Sequence, residues 1–226
     1  LFFIIILLLT LNEANASCVN GQVNHTTGSL TASSDCTAIY IKGKEVKTIT
    51  VNSGVTVTDA ENKKPLTLRP GSEGTTVINN GILEERRSTQ VILMGRNSTV
   101  ELFENNGTIK GSKGFKLVNR ITAGANWGHF KVFTNTGTIL QERDRPDPED
   151  KQAAIWVNVW GKITEFNNSG SIRSSWQTIS NFGVIENFNN TGTITTDRDD
   201  DGTVDNGKAI VNARDVDAEA SWYIDQ

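Results

Sequence analysis

One pattern occurs five times along the chain and constrains its fold more than any other feature. Each copy is centred on a glycine: Gly81, Gly107, Gly137, Gly170 and Gly192. An apolar residue, usually phenylalanine, stands four positions before the glycine, an asparagine stands two before it, and an aliphatic residue stands two after it. These residues are Val77, Asn79 and Leu83, then Phe103, Asn105 and Ile109, then Phe133, Asn135 and Ile139, then Phe166, Asn168 and Ile172, and then Phe188, Asn190 and Ile194. Such self-similarity predicts a repeat architecture.

The segments around each copy have a common order. A short apolar strand comes first, a turn leads to the strand with the phenylalanine, and the Asn-x-Gly corner leads to a third strand. Examples of the first strand are 91–94, 115–118, 154–157 and 209–211. Successive glycines lie 26, 30, 33 and 22 residues apart, which suits coils of about 20 to 25 residues with inserted loops. The order predicts an all-β fold, a right-handed parallel β-helix (β-solenoid), over residues 48–226 and continuing beyond them.

Stacked coils would assign a role to each repeated position. Alternate residues of a strand face one side, and neighbouring strands lie about 4.8 Å apart. The phenylalanines would therefore form one buried column and the isoleucines another, each side chain contributing roughly 1.5 to 3 kcal/mol. We expect the asparagines to form a hydrogen-bonded ladder and the glycines to adopt positive φ. A β-sandwich of hairpins is the alternative, because Asn-Gly also favours hairpins; hairpins, however, do not require apolar residues at fixed offsets from every turn.

The first residues indicate export. Residues 1–11 are nearly all Leu, Ile and Phe, and Ala14-Asn15-Ala16 has the small-x-small pattern of a signal-peptidase site, so we interpret residues 1–16 as a signal peptide. A transmembrane anchor is the alternative, but the apolar run falls short of the roughly 20 residues that cross a bilayer. A net charge of −4 does not favour nucleic acid as a partner, because phosphate binding needs a basic face.

Residues 17–47 are interpreted as an N-terminal cap, which solenoids need to cover the first coil. The only two cysteines, Cys18 and Cys36, lie in this segment. In an oxidising compartment, two cysteines this close in sequence are expected to form a disulfide that closes a small loop. A lipid-modified cysteine at the processed N-terminus is the less favoured alternative, since Cys18 comes one residue too late.

An acidic stretch between repeats resembles a calcium-binding loop. Asp197, Asp199 and Asp201 occupy positions 1, 3 and 5, Gly202 follows at position 6, and Asp205 is at position 9; Thr203 lies between them. Hard oxygen ligands and a sharply turning glycine suit Ca²⁺. Position 12 is Lys208 instead of a glutamate, so Asp215 or Asp217 would have to complete the site. The alternatives are a weak calcium site and an acidic surface loop.

Two other inserted stretches are candidates for function. Residues 120–130 include Trp127 and His129, and residues 142–150 form a mixed-charge, proline-containing segment whose simpler interpretation is a solvated loop. Catalysis is not expected. The chain has two histidines, His25 and His129, and no nucleophile-elbow motif or zinc-ligand spacing. A carbohydrate-cleaving β-helix would instead need acidic, basic or aromatic residues on one exposed sheet, as Trp156, Trp160, Asp197 and Arg198 could be arranged.

The export signal, the cap and the Phe-x-Asn-x-Gly-Thr-Ile units together resemble the passenger domains of Gram-negative autotransporters (type V secretion), including vacuolating-cytotoxin-like passengers. The resemblance covers roughly residues 77–194. It implies a β-solenoid exported through a C-terminal outer-membrane barrel and displayed at the cell surface as an adhesin, toxin or aggregation factor. The chain has no barrel-like series of alternating strands at its end, which favours an N-terminal fragment; a secreted protein without an anchor is the alternative.

The function expected from these observations is a non-catalytic, secreted or surface-displayed binding scaffold. Its partners would be proteins or glycans of host or neighbouring cells, with calcium as a possible ion. A polysaccharide lyase or hydrolase and a toxin passenger are the alternatives. Two acidic-x-Asn-x-Ser/Thr sequons, at residues 104–108 and 165–169, also fit bacterial N-glycosylation, although the simpler role of these asparagines is to form the corner.

Overall fold

The fold was analysed in a computed structural model of the 226-residue chain. The structure describes residues 23–59, 64–86, 91–95, 97–111, 121–123, 128–141, 153–157, 160–174, 177–197 and 207–212. The predicted signal peptide therefore lies outside the described residues, as do residues 142–150 and the predicted first strand at 115–118.

Within these ranges the chain is all β, with 20 strands and no helix. In chain order the strands are β1 (Val23–Ala32), β2 (Cys36–Thr37), β3 (Ile39–Val51), β4 (Thr56–Thr58), β5 (Leu66–Leu68), β6 (Thr75–Asn79), β7 (Ile82–Glu85), β8 (Ile92–Met94), β9 (Thr99–Asn105), β10 (Thr108–Gly111), β11 (Ile121–Ala123), β12 (His129–Asn135), β13 (Thr138–Gln141), β14 (Ala153–Val157), β15 (Lys162–Asn168), β16 (Ser171–Arg173), β17 (Gln177–Asn181), β18 (Val184–Asn190), β19 (Thr193–Thr195) and β20 (Lys208–Asn212).

Every pairing between the described strands is parallel, which confirms the predicted parallel solenoid. A sandwich of hairpins would require antiparallel pairs, so that alternative is wrong for these strands. Each coil contributes one strand to each of three faces. Face 1 contains residues 39–41 of β3 and then β5, β8, β11, β14, β17 and β20; face 2 contains residues 48–51 of β3 and then β6, β9, β12, β15 and β18; face 3 contains β2, β4, β7, β10, β13, β16 and β19.

The long strand β3 explains why faces 1 and 2 form one continuous sheet. Its first residues pair with β5 and its last residues pair with β6. Strand β1 pairs with β3 along its length through two register shifts, and β2 pairs with β4. Strands β1 and β2 thus form a parallel coil within the segment predicted as the cap. Cys36 is buried in this coil, whereas Cys18 lies outside the described residues, so the disulfide stays a prediction.

The phenylalanines form one column along face 2. The ring centroids of Phe103 and Phe133 lie 5.1 Å apart, those of Phe133 and Phe166 lie 5.2 Å apart, and those of Phe166 and Phe188 lie 5.1 Å apart, all stacked. Phe130, which the repeat does not contain, meets Phe103 and Phe133 edge-on. Aromatic pairs add roughly 0.5 to 1.5 kcal/mol each beyond burial, so the column is a main source of stability.

The repeated glycines have a different role from the predicted one. Among the described residues, the glycines with positive φ are Gly28, Gly54, Gly71 and Gly74, and none of them belongs to the repeat. The prediction of positive φ at the corner was therefore wrong. The corner excludes a side chain because adjacent coils approach closely: a Cβ on Gly107, Gly137, Gly170 or Gly192 would lie 2.0 to 2.1 Å from the carbonyl oxygen of the preceding repeat glycine.

The predicted insertion at residues 120–130 was also wrong in part. Ile121–Ala123 form β11 on face 1, and His129 and Phe130 begin β12 on face 2. The sequence pattern did not predict β11, because this strand is only three residues long and has a threonine at its centre. Trp127 lies outside the described residues.

Candidate functional site

The asparagines of the repeat are structural. Asn79, Asn105 and Asn135 are fully buried and Asn168 is nearly so. Each Nδ2 donates to the Oδ1 of the asparagine in the next coil, at 2.7 Å for the pairs 79–105, 105–135 and 135–168 and at 2.6 Å for the pair 168–190. The predicted asparagine ladder is confirmed. These side chains are consequently not available to a ligand.

The ladder has a direction, from the first coil to the last. It begins at Asn79 because the preceding coil places Val51 in register with it, and within the described part of the chain the Oδ1 of Asn79 accepts no hydrogen bond. A second, shorter ladder starts in the same way: Val157 precedes Asn181, whose Nδ2 donates to Asn212 Oδ1 at 3.0 Å. Sequence reasoning missed this pair, although an asparagine ends both β17 and β20.

A row of exposed polar residues runs along the edge between faces 2 and 3, directly before the repeated glycines. We call it the corner row; its members are Asn80, Asn106, Thr136, Ser169 and Thr191, and all but the half-buried Asn80 are exposed. Asn106 Nδ2 donates to Asn80 Oδ1 at 3.0 Å, and Thr136 Oγ1 donates to Asn106 Oδ1 at 2.7 Å. The corner row therefore presents uncharged amides and hydroxyls, one per coil.

Parallel rows of similar chemistry flank the corner row. On face 2 the neighbours include Thr134, Asn167 and Asn189, and Asn189 Nδ2 donates to Asn167 Oδ1 at 3.0 Å. On face 3 the residues directly after the glycines are Thr108, Thr138, Ser171 and Thr193, paired in register. A ligand that lies along the solenoid axis would meet hydrogen-bonding groups at a spacing of about 4.8 Å.

The charged residues of face 2 form a second cluster, near the start of each strand. Lys131 Nζ lies 2.8 Å from Glu101, and Lys162 Nζ lies 2.9 Å from Glu186. Between these two pairs, His129 Nε2 and Thr164 Oγ1 are 2.8 Å apart. The ion pairs are exposed, so each contributes about 0 to 1 kcal/mol. The ion pairs and the contact between His129 and Thr164 hold these side chains next to one another on the exposed surface of face 2.

Partial burial is the largest influence on His129 and lowers the pKa of its imidazole, and the positive charges of Lys162 and Lys131 lower it further. The hydrogen bond from Lys162 is the main reason that the pKa of Glu186 is also lowered. In the folded protein, His129 is therefore neutral near pH 7, and Glu186 is ionised.

Replacing His129 should change how stability depends on pH. Because folding lowers the imidazole pKa, the unfolded chain takes up the proton first, and stability falls as the pH drops below about 6.5. We expect His129→Gln, which can retain the contact with Thr164, to lose less stability than the native chain between about pH 7 and pH 5. Urea unfolding over this range measures the effect, with His25→Gln as the control. Equal slopes for the native chain and His129→Gln would contradict the assignment.

Of the residues predicted for a carbohydrate-cleaving sheet, Trp156 is buried. Trp156 is 4% exposed and packs against Phe182, with ring centroids 5.4 Å apart. The expectation that Trp156 lies on an exposed sheet was wrong, because the indole belongs to a small apolar cluster that also includes Ala153. Trp160 is exposed, Asp197 is buried, and Arg198 lies outside the described residues.

Of the predicted calcium ligands, the structure describes Asp197 alone. It is 8% exposed, and its backbone N–H donates to Thr195 Oγ1 at 3.0 Å. Asp199, Asp201, Thr203 and Asp205 lie outside the described residues, so calcium binding stays a prediction. Within the ranges given above, no three His, Cys, Asp or Glu side chains are grouped closely enough to hold a metal ion.

The asparagine of one possible glycosylation sequon lies in the corner row, and that of the other lies beside the row on face 2. Asn106 is exposed and Asn167 is half-buried. Each side-chain amide donates to the acidic residue of its own sequon, from Asn106 to Glu104 at 2.8 Å and from Asn167 to Glu165 at 2.7 Å. Both asparagines thus also serve the local hydrogen-bond network.

The described residues contain no helix with the length and apolarity needed to cross a membrane. In comparisons with known proteins, no protein-family model, no curated protein and no solved structure matches this chain.

Proposed function

We propose that the protein is a non-catalytic binding scaffold that is secreted or displayed at a cell surface, of the adhesin type found among autotransporter passengers. The finer features of this proposal are a signal peptide at residues 1–16, a disulfide between Cys18 and Cys36, a right-handed solenoid, and export as an outer-membrane or extracellular protein. The supporting sequence observation is the repeat itself, whose asparagines, phenylalanines and glycines are used to build the stack.

The corner row is the observation that carries the proposed binding activity. Thr136, Ser169 and their neighbours place uncharged donors and acceptors at the coil spacing on an exposed edge. A hydroxyl-rich polymer can exchange hydrogen bonds with such a row in many equivalent positions. We therefore favour an extended cell-surface glycan as the ligand, held by many shallow contacts, as is usual for solenoids.

Glycan binding can be tested by placing charge on the corner row. The double variant Thr136→Glu/Ser169→Glu should lose binding to glycan-bearing cells or to a glycan array by on the order of tenfold or more, equivalent to about 1.4 kcal/mol. Both residues are exposed, so the fold should remain intact. The matched control, Ser29→Glu/Asn97→Glu, adds the same charge at two exposed positions, one in β1 and one in the turn between β8 on face 1 and β9 on face 2. Equal binding by both double variants would refute this use of the corner row.

A polysaccharide-active enzyme is the second candidate, and the His129 cluster is the observation that favours it. A neutral imidazole next to two lysines and two carboxylates has the chemistry of a general acid–base group for a bound sugar. Against this, each carboxylate is already paired with a lysine, and the cluster lies on an open face. Turnover of a polysaccharide that is abolished by His129→Gln would establish the enzyme and replace the adhesin proposal. Cell damage by the purified protein would instead indicate a toxin passenger.

A further inference from the structure

A row of buried residues, most of them polar, lies where face 3 ends and each coil turns toward face 1. We call it the buried polar column; its members are Asp59, Glu85, Gly111, Gln141 and Ser174, and all five are buried. Glu85, Gly111 and Gln141 are the last residues of β7, β10 and β13 and lie in register. Asp59 and Ser174 directly follow β4 and β16. Unlike the asparagine ladder, this column contains a different residue in every coil.

Gln141 is the member of the column whose hydrogen bonds are missing. It is 1% exposed, and neither its Oε1 nor its Nε2 has a hydrogen-bond partner in the described part of the chain. In the following coil, the hydroxyl of Ser174 is paired with that of Thr178, at 3.1 Å. A buried amide without a partner is costly, because it has given up its hydrogen bonds to solvent. The amide of Gln141 therefore needs a partner that these side chains do not supply.

The preceding coil leaves room for such a partner. Gly111 has no side chain, so the column has a gap between Glu85 and Gln141. The backbones of these two residues are separated by two coil spacings, or about 10 Å. Glu85 is 1% exposed, so the gap is enclosed between a buried carboxyl group and a buried amide.

We propose that the gap at Gly111 binds ordered water, which bridges Gln141 to Glu85. Water suits both sides of the gap because it donates and accepts hydrogen bonds. It can donate to Gln141 Oε1 and to the carboxylate of Glu85, and it can accept from Gln141 Nε2. Buried waters in proteins make about three hydrogen bonds, typically to groups that no protein atom satisfies.

A metal cation suits the gap less well. A cation can bind the oxygens of Glu85 and Gln141, but it cannot accept a hydrogen bond from Gln141 Nε2. Positive charge is also already present near this part of the column. Burial is the largest influence on Lys64 and lowers the pKa of its ammonium group, whereas the charges of Glu85 and Asp59 raise it. A second cation close to Lys64 would be repelled.

NMR contacts with water in the full-length chain test the proposal directly. The side-chain amide protons of Gln141 should show nuclear Overhauser effects to water that stays bound while the protein tumbles. Asn105 is the matched control, because its buried amide donates to Asn135 Oδ1 at 2.7 Å and should show no such contact. Gly111→Ala fills the gap with a methyl group and should remove the contact at Gln141. The proposal is overturned if the native chain shows no water contact at Gln141, or if the contact survives in Gly111→Ala.

Gln141→Leu distinguishes bound water from a dry gap. Leucine is similar in size to glutamine and has no polar side-chain atoms. If water satisfies the amide, the substitution removes hydrogen bonds and should lower the ratio of folded to unfolded chain by roughly two- to tenfold in urea unfolding. In a dry gap the same substitution removes an unsatisfied buried group, so a higher ratio would overturn the proposal.

Calcium chloride tests for a cation in place of water. The stability of the native chain should not depend on calcium through Glu85. Stabilisation by calcium that is lost in Glu85→Gln and retained in Asp199→Ala would overturn the proposal in favour of a cation in the gap. The opposite pattern would locate calcium at the acidic stretch that contains Asp199 and would support water in the gap.

Discussion

Gly137→Ala should destabilise the fold severely, as should the same change at Gly107, Gly170 or Gly192. The new Cβ would lie 2.0 Å from Gly107 O and 2.8 Å from Asn106 C, both of which are backbone atoms. Gly107 O also accepts from Thr138 N–H at 2.8 Å. The two coils must therefore separate at the corner and weaken that bond. We expect a loss of more than about 4 kcal/mol, the range reached only by severe defects, measured by urea unfolding.

Gly54→Ala is the control for Gly137→Ala. Gly54 has a φ of 78°, and a Cβ at this position meets no atom within 4 Å. An alanine there suffers only the strain of the left-handed conformation, about 1 to 2 kcal/mol. If Gly137→Ala proved less harmful than Gly54→Ala, close approach of the coils could not be the reason for glycine in the repeat.

Asn135→Ala should have a large effect, although a smaller one than Gly137→Ala. Asn135 is fully buried, accepts from Asn105 Nδ2 and donates to Asn168 Oδ1. Without it, Asn168 Oδ1 loses its donor, while Asn105 Nδ2 retains longer contacts with Thr138 O and Gly107 O at 3.3 and 3.4 Å. An unsatisfied buried group costs about 1 to 3 kcal/mol, so we expect a loss of about 2 to 4 kcal/mol in the free energy of unfolding.

Two further variants separate the ladder from other effects. Asn135→Asp retains the acceptor but removes the donor and buries a charge, so it should be more harmful than Asn135→Ala. Asn106→Ala changes the neighbouring, exposed asparagine and should cost less than about 1 kcal/mol, because water can replace its bonds. Comparable losses in Asn106→Ala and Asn135→Ala would show that the buried ladder is not a major source of stability.

The direction of the ladder has a consequence for its first member. The amides of Asn79, Asn105, Asn135 and Asn168 each donate toward the following coil, so the first asparagine has no asparagine before it to donate to its oxygen. At the beginning, Val51 precedes Asn79 in register, which leaves the Oδ1 of Asn79 without a donor among the described residues.

Much of the scaffold could be predicted from offsets within one repeat. The phenylalanine and asparagine positions alternate along one strand, the isoleucine follows on the next strand, and alternation determines which side chains face inward. The reason for glycine could not be found in this way. A glycine is compatible both with positive φ and with close backbone approach. Only the position of the preceding coil shows that close backbone approach is the reason for a glycine at position 137.

The contacts between surface residues were harder to predict, because the residues that meet are distant in sequence. His129 meets Thr164, 35 residues later, and Lys162 meets Glu186 in the following coil. Which outward-facing residues become neighbours depends on the length of each inserted loop, and those lengths vary. For the same reason, Trp156 was predicted on an exposed sheet but packs against Phe182.

The sequence by itself determined that this protein is a stack of parallel coils, because only a stack needs the same residues at the same offsets in every unit. The tertiary structure decided how closely the coils approach, which residues are exposed along the corner row, and which charged side chains become neighbours on face 2. These properties arise between coils, from the packing of backbone against backbone, and no single repeat contains them.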